Sequence, residues 1–238
     1  MLKILSEKVK YSYVYGTVEK DSPDKKCFSG LNLFDKTYQI FTTIKYIKLW
    51  FGTPPNNPEI KSLLGIKLIY KNCFTGEEKV IDYHGLPLDG LEYETQELNL
   101  IDDYISKCNI AADDYITHLK FTTLKGNFIE FGEPSFNDKK SIIAINKDNN
   151  IILDIKGEAT KQGIRNLKFT YMNLKDFLSY RLINIFKLKF LLDNNKEYEK
   201  KFNNPEKINK LNDKMKCFFN CCKMPKATFE KVVQFLLE

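Results

Sequence analysis

Up to residue 172 no stretch of this chain repeats its apolar side chains at the three-and-four spacing of a helix, and from Asn173 onward that spacing takes over. This switch limits the fold more than any other feature. The clearest part of the first region is residues 113–132, DDYITHLKFTTLKGNFIEFG. Ile116, Leu119 and Phe121 fall among β-branched and polar residues, the composition of a half-buried strand. Lys125, Gly126 and Asn127 supply a turn, and Phe128, Ile129 and Phe131 open the return strand. The surrounding chain has the same texture. Strands are expected over residues 9–20, 38–50, 60–70, 79–83, 95–100, 104–108, 141–146, 151–155 and 164–171, broken by Gly, Pro, Asn and Asp. A bulge is expected near Thr42 and Thr43, where the apolar residues change phase. Pro54, Pro55 and Pro58 make residues 52–58 a loop. Ten or more short strands without crossover helices argue for a sandwich, barrel or prism and against an α/β enzyme.

Beyond residue 173, Leu174, Phe177, Leu178, Leu182, Ile185 and Phe186 form one apolar stripe. Asn204, Pro205 and Glu206 read as the start of a second helix, and Phe229, Val233 and Leu237 belong to a third. The segment 174–238 carries 14 Lys and Arg against 8 Asp and Glu, so the whole net charge of +6 resides there, on a neutral body. Two domains are expected: residues 9–172 as the β-rich body, and 173–238 as a helical C-terminal extension.

The residues also exclude chemistry. Cys27, Cys73, Cys108, Cys217, Cys221 and Cys222 show no zinc-knuckle spacing, and His84 and His118 are remote in sequence. No metal or cofactor is expected. The paired acids Asp102–Asp103 and Asp113–Asp114 suit turn capping better than a catalytic dyad, because neighbours on a strand face opposite ways. No phosphate loop, dinucleotide fingerprint or nucleophile motif is present, so no enzyme activity is expected. No apolar run reaches bilayer-spanning length, and the first ten residues lack a signal-peptide core. An intracellular location is therefore expected: cytoplasmic, or within a cytoskeletal or organellar complex. Lysines and aromatics interleave around Phe186 and Phe218, yet acidic residues dilute the pattern, which argues against nucleic acid and membrane surfaces as partners.

The ordered pieces resemble the jacalin-like lectin domain, a β-prism of three Greek-key sheets. Gly30 with Phe34–Asp35 resembles its glycine-containing opening, and Ile66 to Tyr70 its strand ending in Tyr. Leu100 to Ile105 resembles its leucine, two-spacer, Glu-Tyr-Ile segment, with Asp103 for Glu. Residues 119–132 match most closely, and residues 152–157 and 167–169 resemble the closing strands. The resemblance covers residues 11–172. It implies a sugar site made by backbone amides near the first strand's glycines and a Gly-x-x-x-Asp loop before the last strand. The candidate ligand residues it marks are Gly30, Phe34, Asp35, Gly157, Thr160, Lys161 and Arg165. Here Thr160 stands near the loop glycine and Arg165 near the aspartate. A guanidinium cannot accept hydrogen bonds from sugar hydroxyls. The expectation is accordingly a non-enzymatic structural or protein-interaction subunit of a larger assembly, contacting protein partners through Leu174, Phe177, Phe229, Val233 and Leu237. Carbohydrate ranks behind protein as a partner in that reading. A lectin is the alternative, and a basic tail for nucleic acid or membrane the next.

Overall fold

The computed structural model describes residues 9–18, 25–34, 39, 42–54, 58–72, 76–84, 92–132, 142–145 and 149–181. The described strands are β1 (Lys10–Tyr11), β2 (Tyr15–Gly16), β3 (Lys26–Ser29), β4 (Thr42–Gly52), β5 (Ser62–Asn72), β6 (Glu78–His84) and β7 (Tyr93–Asn99). They continue as β8 (Ile105–Ala112), β9 (Ile116–Thr123), β10 (Phe128–Phe131), β11 (Ile142–Ile145), β12 (Asn150–Thr160) and β13 (Gly163–Asn173). Residues 174–181 are helical. The chain divides into two compact units, Met1–Asp176 and Phe177–Glu238.

The strands form three antiparallel sheets: β6-β5-β4-β7, β10-β9-β8-β11, and β1-β13-β12-β3 with β2 also on β13. Each sheet has the same order: a central hairpin, a third strand beside it, and a fourth on the far edge. This is the Greek key. In the third sheet the order is closed by both halves of the chain, because the last hairpin, β12–β13, lies between strands from the N-terminal region. The body is the expected three-sheet β-prism.

Alternation fills its interior. Ile47, Leu49, Ile66, Leu68, Leu119, Phe121, Leu167 and Phe169 are fully sealed from solvent. Phe121 meets Phe169 edge-on at 6.0 Å, joining two sheets, and Phe51 stacks on Phe131 at 5.3 Å. At one corner Gln96 substitutes for backbone. Its Nε2 donates to the Glu130 carbonyl at 2.8 Å, and its Oε1 accepts from the Glu130 N–H at 2.9 Å, so β7 and β10 are tied edge to edge. Asp103 Oδ1 accepts from the N–H groups of Tyr104 (2.8 Å) and Lys125 (3.3 Å), which confirms its role as a turn cap.

The structure moves several expected boundaries. The bulge in β4 lies between Ile44 and Tyr46, past the Thr pair, with a second between Trp50 and Phe51. The single expected strand over residues 9–20 is two short pairings on β13, and between them Ser12 holds Phe169: its N–H donates to the Phe169 carbonyl and its hydroxyl accepts from the Phe169 N–H, both at 2.9 Å. β12 runs to Thr160, well beyond the expected end at residue 155. His84 ends strand β6 opposite Gly65 instead of lying in a loop. His118 is buried, 3.3 Å from the Glu130 carboxylate. Cys108 is buried and its thiol is pushed up by that burial, whereas Cys27 is exposed. Cys73, Cys217, Cys221 and Cys222 lie outside the described residues.

Of the stripe residues expected to contact a partner, Leu174 is half-buried and Phe177 is buried, with the Arg181 guanidinium 4.5 Å from the Phe177 ring. Leu178, assigned to the same stripe, is exposed. Phe229, Val233 and Leu237 lie outside the described residues.

Candidate functional site

One end of the prism gathers three chain segments from distant sequence. The first is the exit of β2. Gly16 has φ +105°, which favours glycine, and a Cβ there would lie 2.1 Å from the Arg165 carbonyl oxygen. Only glycine lets β2 lie so close to β13. The second is the turn between β8 and β9, residues 113–115, where the Asp113 N–H donates to the Tyr115 carbonyl at 3.0 Å. The third is the two-residue turn Lys161–Gln162 between β12 and β13.

Hydrogen bonds link them. Thr17 Oγ1 donates to the Asp113 carbonyl at 3.1 Å and lies 3.4 Å from Asp114 Oδ1. Asn166 Nδ2 donates to the Thr17 carbonyl at 3.0 Å. Tyr115 O–H donates to Gln162 Oε1 at 2.8 Å, and the Arg165 guanidinium lies 5.6 Å from the Tyr115 ring centre. The start of β5 borders the same place, since a Cβ on Gly163 would come within 2.8 Å of the Leu63 carbonyl. A small hollow lined by Pro54, Ile60, Ser62, Asp113, Asp114, Tyr115 and Thr117 opens there. Asp113, Asp114 and Lys161 are exposed, and Tyr115, Gln162 and Arg165 are half-buried.

The resemblance-marked residues do not all meet there. Thr160, Lys161 and Arg165 do. The Thr160 hydroxyl is occupied by its own turn, accepting from Gln162 N–H at 3.3 Å and lying 3.5 Å from the Gly163 carbonyl. Gly30 lies elsewhere, against the Tyr70 ring, where a Cβ would come within 2.0 Å of ring carbons. Its N–H donates at 3.1 Å to Asp154 Oδ1. That carboxylate is fully buried and also accepts from Ser29 Oγ at 2.8 Å, Tyr70 O–H at 2.8 Å and Leu31 N–H at 3.4 Å. Burial raises its pKa, opposed by the hydrogen bonds from Ser29 and Tyr70. Asp154 therefore braces the fold and is sealed from any ligand. Phe34 is buried beside this network, and Asp35 lies outside the described residues. Gly157 is buried where a Cβ would meet the Asn166 carbonyl at 2.5 Å and the Phe28 ring at 2.6 Å.

Gly16, Thr17, Asp114, Tyr115 and Gln162 were not marked from sequence as ligand residues. Gly16 carried a readable signal, an isolated glycine inside a strand pattern, which marks close backbone approach. Among the described residues no three His, Cys, Asp or Glu side chains are grouped to hold a metal ion. What the prism end offers is exposed carboxylate acceptors, cationic and amide donors, and one aromatic ring. That mixture matches neighbouring hydroxyls, each of which donates and accepts.

The sequence matches no family model and no curated protein sequence. Solved structures match by shape. PirB aligns with a TM-score of 0.50 at 15% identity, over 69% of this chain and 38% of its own. An artocarpin–mannotriose complex aligns with a TM-score of 0.46 at 15% identity, over 69% of this chain and 97% of that one. Calystegia sepium agglutinin aligns with a TM-score of 0.45 at 14% identity, over 68% and 97%. Several neighbours are lectins by name, so the expectation that ranked carbohydrate behind protein partners does not stand. The chain has the jacalin-related β-prism lectin fold, followed by a short helix.

Proposed function

We propose that the protein is a non-enzymatic carbohydrate-binding protein that holds sugar at the prism end formed by Gly16–Thr17, residues 113–115 and residues 160–165. The observation that carries this reading is Asp114. Arg165 occupies the position where the resembled loop would supply an acceptor. Asp114 brings an exposed carboxylate to the same end from a different turn, 3.4 Å from Thr17 Oγ1. The acceptor lost on β13 is thus replaced from the β8–β9 turn. Lys161, Arg165 and Gln162 supply donors around it, and Tyr115 offers a ring for the apolar face of a sugar.

A glycan array probed with the full chain tests this. Binding to a defined subset of glycans is expected, and Asp114→Ala should weaken it by about tenfold or more, the scale of one lost hydrogen bond to a charged group. Glu78, exposed on β6 beside the opposite end of β5 and paired with Lys45 at 2.7 Å, serves as control. Glu78→Gln should leave binding unchanged. A blank array, or equal loss in both variants, would refute the reading.

A further inference from the structure

A second feature borders the three turns at Val18 and Asn166, but its aromatic and lysine lining is separate from them and does not depend on the carbohydrate reading. A groove of about 500 Å³ runs along the sheet of β3, β12 and β13. Small-molecule sites span this size. Its apolar lining includes Phe28 and Tyr83, whose rings stack at 5.3 Å, together with Ile81 and Leu33. Leu33, Val14 and Val18 are exposed large apolar side chains, and all three line it.

Charge is distributed unevenly around this lining. Lys156 and Lys168 face each other across β12 and β13 in register, and both line the groove. Their ammonium groups lie 5.9 and 5.5 Å from the same ring, that of Tyr11. Two cations are therefore held by one aromatic ring, where each repels the other. Glu158 is the carboxylate lining the groove, and it is already engaged: Lys25 Nζ lies 2.6 Å from one oxygen and Asn166 Nδ2 donates to the other at 2.8 Å. Lys156 has Asp154 at 3.8 Å, but that carboxylate is sealed inside the fold with four other donors. Lys168 has no carboxylate partner among the described residues.

We propose that this groove binds a small amphipathic organic anion, a compact ring-bearing body that lies on Phe28, Leu33 and Tyr83 with one acid group set between Lys156 and Lys168. An anion there removes the repulsion between the two ammonium groups and gains charge-assisted hydrogen bonds from both. The apolar body covers side chains that otherwise face water.

Two fluorescent dyes of similar ring size separate the contributions: anilinonaphthalene sulfonate, which is anionic, and phenylnaphthylamine, which is neutral. Each is titrated into the full chain, with circular dichroism verifying that every variant is folded. The sulfonate should bind as a single class of site, about tenfold tighter than the neutral dye, the gain expected of one charge-assisted contact. Lys168→Glu should remove most of that preference and leave the neutral dye unchanged. Leu33→Ala, at an exposed lining position, should weaken both dyes. Equal affinity for the two dyes overturns the proposal, as does sulfonate binding indifferent to Lys168→Glu. An excess of any array-positive glycan should not displace the dye, so failure here and failure of the carbohydrate reading are told apart.

Discussion

Asp154 shows how a single residue can look like a site and be a brace. Its four donors come from two segments of chain, residues 29–31 and Tyr70, and Tyr70 also accepts from Ile155 N–H at 3.3 Å, so the pair ties the β4–β5 sheet to β12. Its raised pKa sets an unusual pH signature. The folded state binds the proton more tightly than the unfolded chain, so Asp154 adds stability at low pH and loses it as pH rises through its folded value. Glu130 works the other way. The hydrogen bond from Lys120, at 2.7 Å, leads the effects that lower its pKa, so its stabilisation is present above the ordinary carboxylate range and lost as pH falls. Denaturant midpoints measured from pH 7 downward should therefore show wild type gaining on Asp154→Asn. A constant difference between the two across that range would contradict the assignment. Tyr70→Phe, which strips a donor from this buried carboxylate, should cost about 1–3 kcal/mol in the same measurement. None of this was legible in the sequence, because Gly30 and Tyr70 reach Asp154 across 124 and 84 residues. The resemblance had marked Gly30 as a ligand residue, and only the fold shows its N–H turned inward.

Strand identity, by contrast, was largely legible. The β9–β10 hairpin follows its alternation and its turn at Gly126, which has φ +89°. The pairing of Leu167 and Phe169 on one face of β13 also followed from period two. What stayed hidden is where ladders shift. The register break between Ile44 and Tyr46 depends on β5 across the sheet, and local sequence contains no record of a partner strand. The same limit hid the gathering of β2, the β8–β9 turn and the β12–β13 turn. Gly16 is the element-level test of that gathering. Gly16→Ala forces a Cβ against the Arg165 carbonyl and a residue of left-handed φ, so β2 should detach from β13. Amide exchange at Asn166 and Leu167, the partners of Gly16 and Tyr15, should rise by at least about tenfold while the β4–β5 pairing stays protected. Unchanged exchange would show that β2 is not held by this contact. At the β7–β10 corner, Gln96→Ala should cost about 1–2 kcal/mol by leaving the Glu130 backbone groups unpaired.

At the scale of the molecule, three sheets share one Greek-key order, and their topology brings residues 16–17, 113–115 and 160–165 together at one end. The fold fixes what meets there, and the residues at the turns decide what is bound. On the carbohydrate reading, Arg165 removes an acceptor from the closing strand and Asp114, a residue the sequence offered only as half of an acidic pair, returns one to the same end. Nuclear magnetic resonance shift mapping tests this most directly. Isotope-labelled full chain is titrated with the tightest glycan from the array, and perturbed amides are located on the structure. The largest shifts should fall at Gly16, Thr17, Asp114, Tyr115 and Gln162, and Asp114→Ala should raise the glycan concentration that reaches half of them by about tenfold or more. Shifts centred on Gly30, or on the opposite end of β5 around Lys71 and Glu78, would contradict this placement.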